Sequence, residues 1–187
     1  MKPLFDAIRS IKGAPLTQAD VDAINAALAA STAAPIGIPD DYWPMLSKIE
    51  SGDRPYIKAA TSTASGLYQF VRATWIGEGG VWGNDAGQAF GGLKPSVSEQ
   101  TERAKTFTAK NATYLRQRNI PINKASLYAA HFLGPPTAVA IISADVKARA
   151  DILAGAAATN ANPSILRNKT VGDFLSWLHG KTGEWAR

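Results

Sequence analysis

The sequence predicts a mainly α-helical fold with at most one small β hairpin. Apolar residues recur at helical spacing along most of the chain, and glycine or proline interrupts the pattern between segments. Hydrophobic residues make up 45% of the 187 residues and charged residues 19%, which is typical of a folded core and not of a disordered chain. We predict two parts: an N-terminal helical hairpin with its linker over residues 1–38, and a main domain over residues 39–187.

The sequence of the N-terminal part predicts two short helices. Residues 3–12 and 18–30 each carry an apolar stripe, and Thr17 followed by Asp20 is typical of a helix start. Small residues with proline and glycine over 31–39 predict a linker. Because such a hairpin cannot bury its own apolar face, we expect it to dock on the main domain or on a partner.

The sequence of the main domain predicts a series of helices interrupted by one irregular region. Residues 56–65 leave room for a small hairpin, and the glycine-rich residues 77–95 predict a long loop. Ser96 and Glu99 form the pattern of a capping box at the start of the longest helix. The predicted helices of this domain cover residues 40–50, 66–75, 96–118, 124–133, 137–143, 145–157 and 170–180.

Several classes of protein are disfavoured by composition. The chain has no cysteine and only two histidines, so we predict no metal site and no cofactor. No apolar run approaches the length of a spanning helix, so we expect no stable membrane insertion. We also expect no signal peptide, because the N-terminus carries an acid and lacks a long apolar run.

The net charge of +5 favours a polyanionic partner, either nucleic acid or an anionic cell envelope, or it only aids solubility. The chain has no basic-aromatic motif for nucleic acid, so we expect no nucleic-acid partner. We expect a monomer.

A constellation in residues 49–75 carries the functional signal. It consists of Ile49-Glu50-Ser51-Gly52, a short segment of small residues, then Ser65-Gly66-Leu67-Tyr68-Gln69-Phe70 and finally Thr74-Trp75. This ordered set resembles the soluble lytic transglycosylase branch of the lysozyme-like superfamily, in the variant found in phage-associated members. The resemblance continues more loosely to the C-terminus. It implies an α+β lysozyme-like fold and an enzyme that cleaves the β-1,4 bond between N-acetylmuramic acid and N-acetylglucosamine in peptidoglycan.

Glu50 is the predicted catalytic acid. Glycoside cleavage needs a carboxylic acid that protonates the leaving oxygen, so its pKa must lie above the ordinary value of about 4.3. Glu50 follows an apolar helix face and precedes a chain break, so it can point into a cleft where burial raises its pKa. The alternative is an exposed glutamate at a helix end.

The resemblance also implies substrate-binding residues. Gln69 matches the family's substrate-binding glutamine; the alternative is an amide bonded to nearby backbone. Tyr68 stands where the family commonly has methionine at the floor of the cleft. Ser51 orients the acid or the substrate, or simply caps the turn. Ser65 and Gly66 are expected to allow close backbone approach.

The segment from Ser126 to Pro135 resembles a further family motif but departs from it. His131 stands where the family often has a tyrosine that holds the acid or the substrate. His131 takes that role, or it is a histidine of the helical core. Asn111 and Tyr114 are looser candidates for the wall of the cleft, and Trp82 in the glycine-rich loop is a candidate for lining the glycan groove.

The reaction type stays open between two enzymes. Hydrolytic glycosidases usually carry two carboxylates, and Asp53, Glu78 and Asp85 stand in no recognisable second motif. A lytic transglycosylase, as the resemblance implies, needs only one glutamate and closes a 1,6-anhydro ring on the muramic acid. The alternatives are a hydrolytic muramidase on the same fold and a non-catalytic cell-wall-binding module of a virion. The expected setting is a bacteriophage lysin that acts on the cell wall after release, or one that is part of the virion.

Overall fold

The computed structural model describes residues 15–24 and 37–187, and the chain divides into two compact units, Met1–Pro35 and Ile36–Arg187. In the first unit, residues 18–24 are helical. Thr17 begins this helix with a reciprocal cap: its hydroxyl accepts a hydrogen bond from the Asp20 amide at 3.2 Å, and the Asp20 carboxylate accepts one from the Thr17 amide at 2.7 Å. The predicted helix start is therefore confirmed. The remainder of that helix and the one predicted over 3–12 lie outside the described residues.

The second unit is mainly helical, as predicted. Over residues 37–187 its β content is limited to isolated antiparallel bridges, two of which tie Ser65 to Lys58 and to Phe70 and form a small β hairpin over residues 58–70, hereafter the hairpin. Ala89–Gly92 forms one 3-10 turn inside the glycine-rich loop. The α-helices are α1 (Tyr42–Ser51), α2 (Arg72–Gly77), α3 (Val97–Arg116), α4 (Lys124–Leu133), α5 (Pro135–Ser143), α6 (Ala150–Ala161), α7 (Pro163–Leu166) and α8 (Val171–Thr182).

Two predicted helices begin in the wrong place. The helix predicted over 66–75 starts only at Arg72, because Gly66 and Gln69 have φ angles of 79° and 47°, and the turn they form cannot continue as a right-handed helix. The helix predicted over 145–157 starts at Ala150, because the Ala148 amide bonds to the Asp145 carbonyl in a turn. Helix α7 was not predicted.

Helix α4 forms the centre of the core. All six residues from Ala125 to Ala130 are buried, and the helix packs against α3, α5 and α8. A capping box begins it: the Asn123 side chain accepts from the Ser126 amide at 2.9 Å, and the Ser126 hydroxyl accepts from the Asn123 amide at 3.2 Å. A side chain on α4 is therefore held by one of the most constrained elements of the fold.

The C-terminal segment packs on the start of α4. The Glu184 carboxylate accepts a hydrogen bond from the Lys124 amide at 2.8 Å, and the Trp185 carbonyl accepts one from the Asn123 side chain at 2.9 Å. Ala186 is fully buried. The segment after α8 thus packs on the core. Within the described residues, no helix has both the length and the apolar character that crossing a membrane requires.

Candidate active site

Glu50 lies at the C-terminal end of α1 on the side that faces the core. It continues the row of Tyr42 and Leu46, which sit at intervals of four residues and are both fully buried. Helix α1 ends at Gly52, whose left-handed φ of 60° closes the last turn. The Glu50 side chain is 17% exposed, so its carboxyl faces the protein while a small part of it stays accessible.

Two side chains of α4 meet the Glu50 carboxyl. His131 Nε2 lies 4.0 Å from Oε1, and the Tyr128 hydroxyl faces the carboxyl closely enough to lower the pKa of Glu50. These residues stand three positions apart and therefore share one face of the helix. His131 thus lies beside the acid and is at the same time a largely buried histidine of the helical core, so both predicted roles remain open. Tyr128 was not predicted, although its spacing from His131 within the segment that resembles the family was a usable signal.

The surroundings of Glu50 hold its proton. Burial raises the pKa of Glu50 from 4.5 to about 7, and the nearby Tyr128 hydroxyl and the positive charge of Lys181 partly oppose this rise. Burial is the main reason why the pKa of Tyr128 is raised, and the nearby Glu50 carboxylate adds to that rise. At neutral pH a substantial fraction of Glu50 is therefore protonated, as a general acid requires.

His131 is a neutral neighbour. Its ring lies among Phe70, Phe107 and Tyr128 at centroid distances of 5.9 to 6.5 Å. Burial lowers the pKa of His131 to about 4, although the nearby backbone of Tyr68 opposes the shift, and His131 Nδ1 is buried without a hydrogen-bond partner among the described residues. Near neutral pH the pair is thus a carboxyl group beside an uncharged imidazole, and His131 contributes no positive charge that would strip the proton from Glu50.

Ser65 and Gly66 support the hairpin. Ser65 is fully buried, and its hydroxyl accepts a hydrogen bond from the Phe90 amide at 3.2 Å. The Gly66 amide donates to the Ile57 carbonyl at 2.9 Å, and a Cβ at this position would overlap the Phe90 ring and the Gln100 side chain. The expected close approach at these residues is therefore present, and it joins the hairpin to the glycine-rich loop and to α3.

Gln69 and Tyr68 make contacts of their own. The Gln69 amide nitrogen donates to the Gly66 carbonyl at 3.0 Å, which is the backbone role weighed for it. The Tyr68 hydroxyl lies 3.2 Å from that of Thr101. Among the described residues no hydrogen bond joins either side chain to Glu50. Tyr68 also lines a groove of about 490 Å³ together with Trp43, whose ring lies beneath the ammonium of Lys105.

The remaining predicted residues make contacts of their own. The Ser51 hydroxyl donates to the Ser47 carbonyl at 3.0 Å and accepts from the Arg54 amide at 3.2 Å, so it closes the end of α1. Asn111 is buried on α3. Tyr114 lies under the guanidinium of Arg118, 3.5 Å from its ring centroid. No hydrogen bond within the described part of the chain links these three side chains to Glu50.

Each acid considered as a second carboxylate is engaged elsewhere. Asp53 is bound by the Ser47 hydroxyl, Glu78 accepts two hydrogen bonds from Lys110 at 2.8 and 2.9 Å, and Asp85 accepts one from the Gly87 amide at 2.9 Å. Over residues 15–24 and 37–187, no group of three or more metal-ligating side chains is present. The arrangement can therefore donate and accept one proton at Glu50.

Comparison with known proteins gives no match, either to a family model or to a curated relative.

Proposed function

We propose that this chain is a peptidoglycan lytic transglycosylase that cleaves the β-1,4 bond from N-acetylmuramic acid to N-acetylglucosamine. The observation that carries the proposal is the Glu50 carboxyl, largely buried on the core side of α1, 4.0 Å from His131 Nε2 and shifted in pKa to about 7. A structural glutamate needs no such environment, whereas an acid that donates a proton at neutral pH does.

One carboxyl group suffices for the proposed reaction. Protonated Glu50 donates its proton to the glycosidic oxygen as the bond from muramic acid C1 to that oxygen breaks. N-acetylglucosamine leaves with a new 4-hydroxyl. The Glu50 carboxylate then takes the proton of the muramic acid 6-hydroxyl while that oxygen bonds to C1, which closes the 1,6-anhydro ring and restores the acid. The nearby Tyr128 hydroxyl stabilises the transient carboxylate.

The engagement of Asp53, Glu78 and Asp85 favours this reaction over hydrolysis. A hydrolase needs a second carboxylate for its water or its glycosyl intermediate, and each of these three acids is bound by other side chains or by backbone. We propose bacteriophage-driven lysis as the setting, in which the lysin reaches the cell wall from inside the host or as part of the virion.

The test is digestion of purified sacculi by the wild type, by Glu50→Gln and by Glu102→Gln as a matched control on the exposed face of α3. Mass spectrometry of the products separates the reactions, because an anhydro end is one water lighter than a hydrolysed end. We expect anhydro ends from the wild type and the control and no release by Glu50→Gln. Hydrolysed ends would replace the transglycosylase with a muramidase. Equal release by Glu50→Gln would end the assignment, and binding to sacculi without any release would favour a wall-binding module.

A further inference from the structure

A second cavity, separate from the residues that contact Glu50, lies between the hairpin, the start of α2 and the glycine-rich loop. Its volume is about 180 Å³. The lining, which we call the cationic pocket, contains two basic side chains and no acidic one. Its side chains come from Lys58, Thr63, Arg72, Trp82, Asn84, Ala86 and Gln88.

Both cations of the pocket keep hydrogen-bonding capacity. The Lys58 ammonium donates to the carbonyls of Ala59 at 3.2 Å and Ser62 at 3.1 Å, and since an ammonium has three donors, one remains. Arg72 forms no ion pair with any carboxylate in the part of the chain that the structure describes, and its backbone is fixed by a 3.0 Å bond from its amide to the Thr63 hydroxyl. Two uncompensated positive charges in one cavity favour an anionic ligand.

The loop that forms the other wall is held in place by backbone contacts. The Gly83 amide donates to the Phe90 carbonyl at 3.0 Å, and the Asp85 amide donates to the Gly91 carbonyl at 3.0 Å. A Cβ on Gly83 would overlap the Gly91 carbonyl, so the two arms of the loop are in direct backbone contact at these glycines. The Trp82 ring packs against Phe90 at 5.7 Å between centroids. The backbone and the Trp82 ring of this wall are thus preformed, which lowers the part of the entropic cost of binding that comes from ordering the loop.

We propose that the cationic pocket binds a carboxylate of the peptide stem carried by the muramic acid of the glycan. A guanidinium and an ammonium bind a carboxylate through charge-assisted hydrogen bonds. The amides of Asn84 and Gln88 complement peptide groups, and the Trp82 ring offers an apolar surface to an amino-acid side chain. These last features distinguish a peptide carboxylate from a bare phosphate. The inference rests on the proposed function, because a protein that cleaves this glycan is the one that meets its peptide stems.

The test is an NMR titration of the intact protein with free stem tetrapeptide. Its controls are the same peptide with amidated carboxyls and inorganic phosphate. We expect the tetrapeptide to shift the Trp82 indole N–H and the Asn84 amide in a saturable way, and the two control ligands to leave them unchanged. Arg72→Gln should weaken binding about tenfold or more, since it removes a charge-assisted hydrogen bond. Lys147→Gln, which removes an equal charge from an exposed loop, should bind as the wild type does.

The outcomes separate this inference from the proposed function. Equal shifts with phosphate or with the amidated peptide would overturn the carboxylate assignment, as would unchanged affinity in Arg72→Gln. Asn84→Ala gives a second, uncharged variant, and we expect it to weaken binding while the rest of the amide spectrum stays dispersed. Glu50→Gln should bind the peptide as tightly as the wild type. Glycan cleavage that depends on Glu50, without any peptide-induced shift at Trp82, would end the inference alone.

Discussion

Replacing Glu50 with glutamine should stabilise the protein in a pH-dependent way. The pKa of Glu50 is raised from 4.5 to about 7 in the folded state. The folded protein therefore binds this proton more tightly than the unfolded chain does. Its stabilising contribution is complete below pH 4.5 and is lost as the pH rises through 7. At about 1.4 kcal/mol per pH unit, the loss approaches about 3 kcal/mol above pH 7. Because glutamine carries no charge to bury, Glu50→Gln should escape that loss.

The assay is urea unfolding of both proteins between pH 4 and pH 8.5, with the free energy of unfolding obtained from each midpoint and slope. We expect the difference in free energy between Glu50→Gln and the wild type to grow with pH and to level off above pH 7.5. Glu102→Gln, at an exposed position, should follow the wild type. A difference that is flat across this range would mean that the carboxyl is hydrated in the folded protein, and the reasoning about its proton would be refuted.

Three further predictions concern the surroundings of the acid and the frame that holds it. Tyr128→Phe removes a hydroxyl that favours the carboxylate, so the pKa of Glu50 should rise above 7; a titration of its labelled carboxyl carbon by NMR checks this, and a fall would contradict it. Gly66→Ala places a Cβ against Phe90 at a φ of 79° and should lower the free energy of unfolding by about 1–3 kcal/mol, measured in urea; Gly180→Ala, in open space on α8, is the control. Ser96→Ala removes the cap that binds the Glu99 amide and should cost about 1 kcal/mol in the same assay, while an unchanged midpoint would show that water replaces the cap.

The helices that the sequence predicts well are those with a strong local signal at their ends. Asn123 and Gly134 bound α4 as the pattern requires, and Ser96 begins α3. Errors occur where tertiary contacts override the local pattern. Residues 66–71 have helical spacing, yet Gly66 must fit beside Phe90 and Gln100, and the left-handed turn that results ends the helical pattern. The local sequence pattern does not reveal which distant ring will contact that glycine.

The candidate site divides in the same way. Glu50 could be predicted because the ordered motif over residues 49–75 resembles a known family; an acid at the end of an apolar helix next to a chain break could equally have been exposed. Its neighbour Tyr128 could be suspected from its spacing to His131 but not assigned, because α4 is buried almost all round and every one of its apolar residues has a structural explanation. The pairing depends on how α4 meets α1, which is a property of the packed core. The role of His131 as a neutral neighbour depends on the same packing.

Because α4 is buried, solvent can reach the Glu50 carboxyl from the side of α4 only when that helix opens. Tyr128 and His131 belong to a helix whose central residues are closed off by α3, α5 and α8. Segments of this kind open only in the rarest, most global fluctuations, so their backbone amides should exchange with deuterium among the slowest of the chain. On the side of α4, the Glu50 carboxyl is therefore shielded by the most cooperative part of the molecule. Local opening of a loop elsewhere should leave the pKa of Glu50 unchanged.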